Sequence, residues 1–252
     1  MKISGLSDRG MVRKNNQDSY AFRETDKFVL GVVCDGMGGA AAGNKASALA
    51  IKKITDKTMA DMTDGVSPND IKSILRGVVR AANRHIYDTA QNNRAYLGMG
   101  TTAVAFIYMK EMKKAFFVNV GDSRAYILRD GALLQITQDH SLVFEMLQKG
   151  QITKDEARNH PNRNIITRAI GTDEQIHPDT FEAPIKKRDK ILLCSDGLTN
   201  MLTDEEILTV LSSDGDMEKT VAELVNRANI AGGADNVTAL LAYFDEEGSD
   251  SL

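Results

Sequence analysis

The chain has 252 residues, 42% of them hydrophobic and 26% charged, the composition of an ordinary globular protein with a real core. Its formal net charge of −4 and pI of about 5.6 give no reason to expect nucleic acid or an anionic membrane as partner. No apolar stretch approaches the roughly 18 residues that span a bilayer, and the opening MKISGLSDRG lacks a signal-peptide core, so no membrane insertion is expected and the expected location is cytoplasmic.

Along the chain, FVLGVVCDGMGG predicts a strand over residues 28–34 that ends on Asp35, which is followed by glycines. A helix is expected over 45–62. The next is capped by Ser67, with Pro68 in its first position, Asp70 in its first turn and Ile71, Ile74, Leu75, Val78, Ala82 and Ile86 on one face. Strands follow over 101–109, 115–120, 125–128 and 133–136, with Asp130-Gly131 as a hairpin turn. The stretch 138–171 has only short apolar runs and reads as an inserted segment lying over the domain.

KILLCSDG then repeats the earlier grammar, a strand over 190–194 and an aspartate-glycine pair, Asp196-Gly197. Thr203 and Glu206 form a capping box ahead of Ile207, Leu208 and Leu211, and a last helix runs from about Met217 to a stop at Gly232-Gly233. A final strand covers 237–244, and the acidic tail 245–252 is expected to be disordered. Strands cluster with strands and helices come in pairs. The expected fold is therefore α+β, with antiparallel sheets covered by helix pairs, in a single domain over 1–244. Cys34 and Cys194 sit in apolar runs on non-matching faces, so buried thiols and no disulfide are expected.

Asp35 and Asp196 end strands, Asp122 follows one and Asp235 precedes one, so these carboxylates can converge on one rim of a sheet sandwich. Two unit charges about 4 Å apart repel by about 4 kcal/mol at an effective dielectric of about 20, so a cation must offset them. Arginine or lysine can serve, but a hard divalent ion binds several oxygens at once, and without a zinc-spaced Cys or His pair the choice falls on Mg²⁺ or Mn²⁺. Glycine at position 36 lets a backbone carbonyl approach such an ion. The competing reading of each Asp-Gly pair is a simple turn.

RKNNQD (13–18), VVCDGMGGAAAG (32–43), GMGTT (98–102), NVGDSRAY (119–126), TQDHS (137–141), HPNRNIITRAIG (160–171), LLCSDGLT (192–199) and ADNVT (234–238) occur in this order. Together they resemble the metal-dependent protein phosphatases of the PPM or type 2C family in its compact bacterial form, over nearly the whole chain. The resemblance implies a β-sandwich flanked by helix pairs, with segment 138–171 as a flap over the site. It also implies hydrolysis of phosphoserine and phosphothreonine in proteins by direct attack of a metal-bridging water.

Carried over by position, Asp35 bridges two Mn²⁺ or Mg²⁺ ions, the Gly36 carbonyl binds one of them, and Asp196 and Asp235 bind the other. Asp122 with Asp196 matches the place of a third, weaker ion. Arg13 grips the substrate phosphate, while Gln17, Asp18 and Asn236 support the ligands from behind, Asp18 by orienting waters. A bacterial Ser/Thr kinase is the implied counterpart and a monomer the implied state.

The chain departs from the family pattern at Gln17, where many members carry glutamate, and at Met37, Ala40 and Ala41, where relatives carry histidine, which leaves the leaving-group acid unassigned. Among the histidines, His85 is expected at the surface of the long helix. His140 and His160 are open to substrate contact or turn roles, and His177 has no evident chemistry.

Overall fold

The computed structural model describes residues 1–39, 42–63, 65–213 and 215–245. Ala40, Ala41 and the tail from 246 onward, on which two expectations fall, lie outside the described residues. One sheet runs β1 (Lys2–Asp8), β11 (Val237–Tyr243), β10 (Lys190–Cys194), β7 (Arg124–Arg129), β8 (Ala132–Gln135). The other runs β2 (Asp18–Glu24), β3 (Phe28–Met37), β5 (Ala103–Met109), β6 (Lys114–Val120), β9 (Asp179–Pro184), with the short β4 (Gly100–Thr101) also paired to β3. All these pairings are antiparallel.

Alternation along the strands makes three apolar layers. Val33, Phe106, Phe117, Ile127, Leu193 and Leu240 meet between the sheets. On the outer face of the β3 sheet, Leu30, Val32, Cys34 and Phe116 pack against α1 (Ala42–Asp61) and α2 (Pro68–Asn92). On the outer face of the β10 sheet, Leu192, Cys194, Ala239 and Leu241 pack against α6 (Asp204–Leu211) and α7 (Met217–Ile230). This is the helix-sheet-sheet-helix layering expected from the sequence, and it puts the two free, buried cysteines in different outer layers.

The local signals behave as their chemistry requires. Ser67 and Asp70 form a capping box on α2, Thr203 and Glu206 form one on α6, and Asp130 and Gly131 both take positive φ in the β7–β8 turn. β1, β2 and β9 were not anticipated. β1 and β9 lie on sheet edges and β2 on the other edge of the second sheet, where half-solvated strands lack a continuous apolar face. The stretch read as one strand over 101–109 is broken at Thr102 into β4 and β5.

Segment 138–171 is more ordered than its composition suggested. It holds α3 (Leu142–Gln148) and α4 (Lys154–Arg158), the latter with its own Thr153/Glu156 capping box. Its two ends meet in a short ladder: Leu142 N–H donates to Ile165 O at 2.9 Å and Thr167 N–H to His140 O at 2.8 Å. Near the far end, Thr101 and Ile170 exchange backbone hydrogen bonds, and the buried Asn83 of α2 accepts from Gly171 N–H at 2.7 Å.

Candidate metal centre and active site

Asp18, Asp35, Asp122, Asp196 and Asp235 sit at the same end of the sandwich, because each lies where an element enters or leaves that rim. Asp18 opens β2 and stands opposite Asp35 in the β2–β3 register. Asp122 follows β6, Asp196 follows β10, and Asp235 precedes β11. Two local details differ from expectation. β3 continues past Asp35, since Gly36 and Met37 pair with Thr101 and Gly100, and Gly36 N–H donates to Gln17 O at 3.1 Å. Asp196 is no strand end but the first residue of the one-turn helix α5 (Asp196–Thr199).

The carboxylates feel one another strongly. Burial, then the charges of Asp18, Asp196 and Asp122, pushes the Asp35 carboxyl well above the usual range. Asp122 is likewise pushed well up, by burial and then by Asp196 and Asp139, with Arg124 opposing. Asp196 is raised by burial and then by Asp235, with Asp35, Arg124 and Arg13 opposing. Asp18 is raised to about 7 by burial, although the hydroxyls of Thr238 and Ser195, each 2.7 Å from its Oδ2, favour the anion.

These residues suit a divalent cation. Asp196 Oδ1 and Asp18 Oδ1 are buried without a hydrogen-bond partner, a costly state for a carboxylate unless something positive faces it. The donors are all oxygen, as Mg²⁺ and Mn²⁺ prefer. Gly36 lies in a cradle too tight for a side chain: a Cβ there would stand 2.2 Å from Gly43 O and 2.6 Å from Gln17 O. Among the described residues no three acidic, histidine or cysteine side chains already close around one point.

Arg13 Nη2 donates to Asp235 Oδ2 at 2.6 Å from an exposed position at the edge of this cluster. Asn236 holds the segment that carries it. The Asn236 amide donates to Arg9 O at 2.8 Å and Asn15 O at 2.9 Å, and its Oδ1 accepts from Gln17 N–H at 2.8 Å. Gln17 reaches Gly39 O at 3.3 Å, bracing the glycine-rich turn after β3.

Sequence reasoning brought together Arg13, Gln17, Asp18, Asp35, Gly36, Asp122, Asp196, Asp235 and Asn236, but it assigned nothing to the hydroxyls of Ser195, Thr238, Thr101, Thr102 and Ser123. The signal was present in GMGTT, NVGDSRAY, LLCSDGLT and ADNVT, since buried hydroxyls beside acidic residues need partners.

The sequence model for protein phosphatase 2C matches residues 11–242. The chain belongs to the protein phosphatase 2C family. The serine/threonine phosphatase stp of Listeria monocytogenes is 38% identical over 248 residues, covering 97% of this chain and 97% of that one. The structure of the Streptococcus agalactiae serine/threonine phosphatase matches with a TM-score of 0.89 at 37% identity, covering 97% of this chain and 99% of that chain. The catalytic domain of the phosphatase PstP, solved in complex with two manganese ions, matches with a TM-score of 0.82 at 35% identity, covering 97% of this chain and 98% of that chain.

In this 2C-family chain the carboxylate rim opens into a cleft of about 610 Å³ between the 138–171 segment and α6, lined among others by Asp122, Arg124, Phe144, Leu147, Arg158 and Asp196. His140 does not line it, although Asp139 and Ser141 on either side do. The ring is buried, with Nδ1 accepting from Gly121 N–H at 3.1 Å and Nε2 facing Asp179 Oδ2 at 3.0 Å. His160 Nδ1 accepts from Asn162 N–H in a turn, and His85 and His177 are exposed. Among the described residues no helix is long and apolar enough to cross a membrane.

Proposed function

We propose that the chain is a metal-dependent phosphatase of phosphoserine and phosphothreonine in proteins. The observation that carries this reading is the all-oxygen rim of Asp35, Asp122, Asp196 and Asp235, with the partnerless Asp196 Oδ1 inside it and Arg13 at its edge. In it Asp35 and the Gly36 carbonyl would hold one Mn²⁺ or Mg²⁺ ion, Asp35, Asp196 and Asp235 would hold a second, and Asp122 with Asp196 would hold a third more weakly. Bound there, such ions supply an activated water and charge neutralisation for in-line displacement at phosphorus.

The chain's own groups do the rest. Arg13 offers a planar fork to two phosphate oxygens and thereby orients the phosphorus toward the rim. Asp18, held by Ser195 and Thr238, keeps Oδ1 free to accept a hydrogen bond from a water at the centre. Asn236 and Gln17 fix the Arg13 segment and the turn after β3. Cys34 and Cys194 are buried in outer layers and take no part.

Residues 1–244 act as one catalytic unit with 138–171 as its flap, and the protein works as a cytoplasmic monomer opposing a bacterial Ser/Thr kinase. Turnover of para-nitrophenyl phosphate with Mn²⁺, its loss with EDTA and in Asp35→Ala, and a preference for monoester over diester substrates test the chemistry. Absence of turnover at every Mn²⁺ concentration would leave a phosphoprotein-binding module instead. Incubation with a phosphorylated Ser/Thr kinase, followed by mass spectrometry, tests the partner: unaltered phosphate on the kinase counts against it.

A further inference from the structure

We infer that the hydroxyl pair Thr102–Ser123 is a positioning link that fixes the Asp35 and Asp122 carboxylates relative to each other; this rests on the phosphatase reading above. Thr102 occupies the break between β4 and β5, where a regular ladder is interrupted. Its N–H donates to Asp35 O at 2.8 Å, and its Oγ1 accepts from Asp35 N–H at 2.9 Å. Thr101 Oγ1 adds a second hydrogen bond to Asp35 O at 2.8 Å. The Asp35 peptide is thus clamped from both sides by side chains as well as backbone.

The same Thr102 hydroxyl shares a 2.7 Å hydrogen bond with Ser123 Oγ, and Ser123 directly follows Asp122. Gly121, on the other side of Asp122, has φ of 104° and lies so close that a Cβ there would stand 2.5 Å from Thr102 Cγ2. Thr102 therefore touches the peptide of one carboxylate and both flanks of the turn carrying another. Both hydroxyls are buried, so water cannot replace either partner. The need for such a link is geometric: Asp35 lies on a strand and Asp122 on a turn at the same end of one sheet, and carboxylates that serve neighbouring ions require those two backbones at a fixed spacing. Partners standing behind metal ligands commonly change metal affinity or activity by about 10- to 100-fold when removed.

The test uses the full chain and Thr102→Val, Thr102→Ser, Ser123→Ala and the Val/Ala double variant. Calorimetric titration with Mn²⁺, steady-state kinetics on para-nitrophenyl phosphate, and amide exchange at Asp35 in the metal-free protein are the readouts. Thr102→Val is expected to weaken Mn²⁺ binding and lower kcat by about tenfold or more while KM stays within about twofold. It is also expected to speed exchange of the Asp35 amide. Ser123→Ala moves Mn²⁺ affinity and kcat in the same direction, Thr102→Ser retains most of the wild-type values, and the double variant is no worse than Thr102→Val.

Wild-type Mn²⁺ affinity and kcat in Thr102→Val and Ser123→Ala, with only Tm lowered, would overturn the link. Should Thr102→Val fail to fold, Ser123→Ala decides by the same criterion. A wild-type protein that neither binds Mn²⁺ nor turns over substrate would instead defeat the phosphatase reading itself.

Discussion

Arg13 Nη2 lies 2.6 Å from Asp235 Oδ2, so the guanidinium proposed to receive the substrate phosphate is already held by a carboxylate of the rim. The contact orients the fork toward the centre while leaving the side chain exposed. Arg13→Lys keeps the charge but not the two parallel donors, and is expected to raise KM for para-nitrophenyl phosphate about tenfold with a smaller change in kcat. Michaelis kinetics check this, and an unaltered KM would remove Arg13 from substrate binding.

The raised carboxyls predict how pH acts on the metal-free protein. Asp18 at about 7, with Asp35 and Asp122 also raised, bind protons in the folded state that the unfolded chain has already released above about pH 4. The Asp18 contribution to stability is therefore present at low pH and is lost as pH rises through about 7, and those of Asp35 and Asp122 are likewise lost as pH rises through their own raised values. A divalent ion competes with those protons, so the rise in Tm on adding Mn²⁺ should be larger at about pH 7.5 than at about pH 5.5. Thermal unfolding with Mn²⁺ and with EDTA measures the difference, and a shift independent of pH would contradict the coupling.

Neighbouring glycines should respond in opposite ways. In Gly36→Ala the new methyl meets backbone oxygens of Gly43 and Gln17 at 2.2 and 2.6 Å, whereas at Gly39 nothing lies within 4 Å of a Cβ. Gly36→Ala is expected to cost about 2 kcal/mol or more and to lower Mn²⁺ affinity, and Gly39→Ala to stay within about 0.5 kcal/mol. Urea unfolding compares the two. Equal stabilities would mean that the turn after β3 is looser than its contacts indicate.

Thiol chemistry should be irrelevant to turnover. Cys34 and Cys194 are buried, and burial raises both thiols above their ordinary range, so little thiolate forms near neutral pH. Iodoacetamide applied to the folded enzyme is expected to leave kcat unchanged. Stoichiometric inactivation by alkylation would point to a role that the packing does not suggest.

Much of this arrangement could be read from the chain because its signals are local. The Ser67 and Thr203 caps, the Asp130-Gly131 turn and the Gly232-Gly233 stop each depend on a few adjacent residues, and each stands where expected. β1, β2 and β9 escaped notice because edge strands show no continuous apolar face. Asp35, Asp122 and Asp196 were legible as acids beside glycines near the ends of apolar runs, and Asp235 as an acid just ahead of one. The hydroxyls that hold Asp18 were not, since the bonds of Ser195 and Thr238 to it span 177 and 220 residues. Pairings so distant are set by sheet register, which composition does not encode.

The stretch between Leu142 and Ile165 leaves and rejoins the protein through one narrow doorway, closed by the Leu142–Ile165 and Thr167–His140 hydrogen bonds. That stretch forms one wall of the cleft beside the carboxylates through Phe144, Leu147 and Arg158, while surface connections of this kind tolerate changes of length and sequence better than the strands they join. Enzymes built this way can acquire new clients by exchanging the overhang while the cutting edge beneath is inherited unchanged.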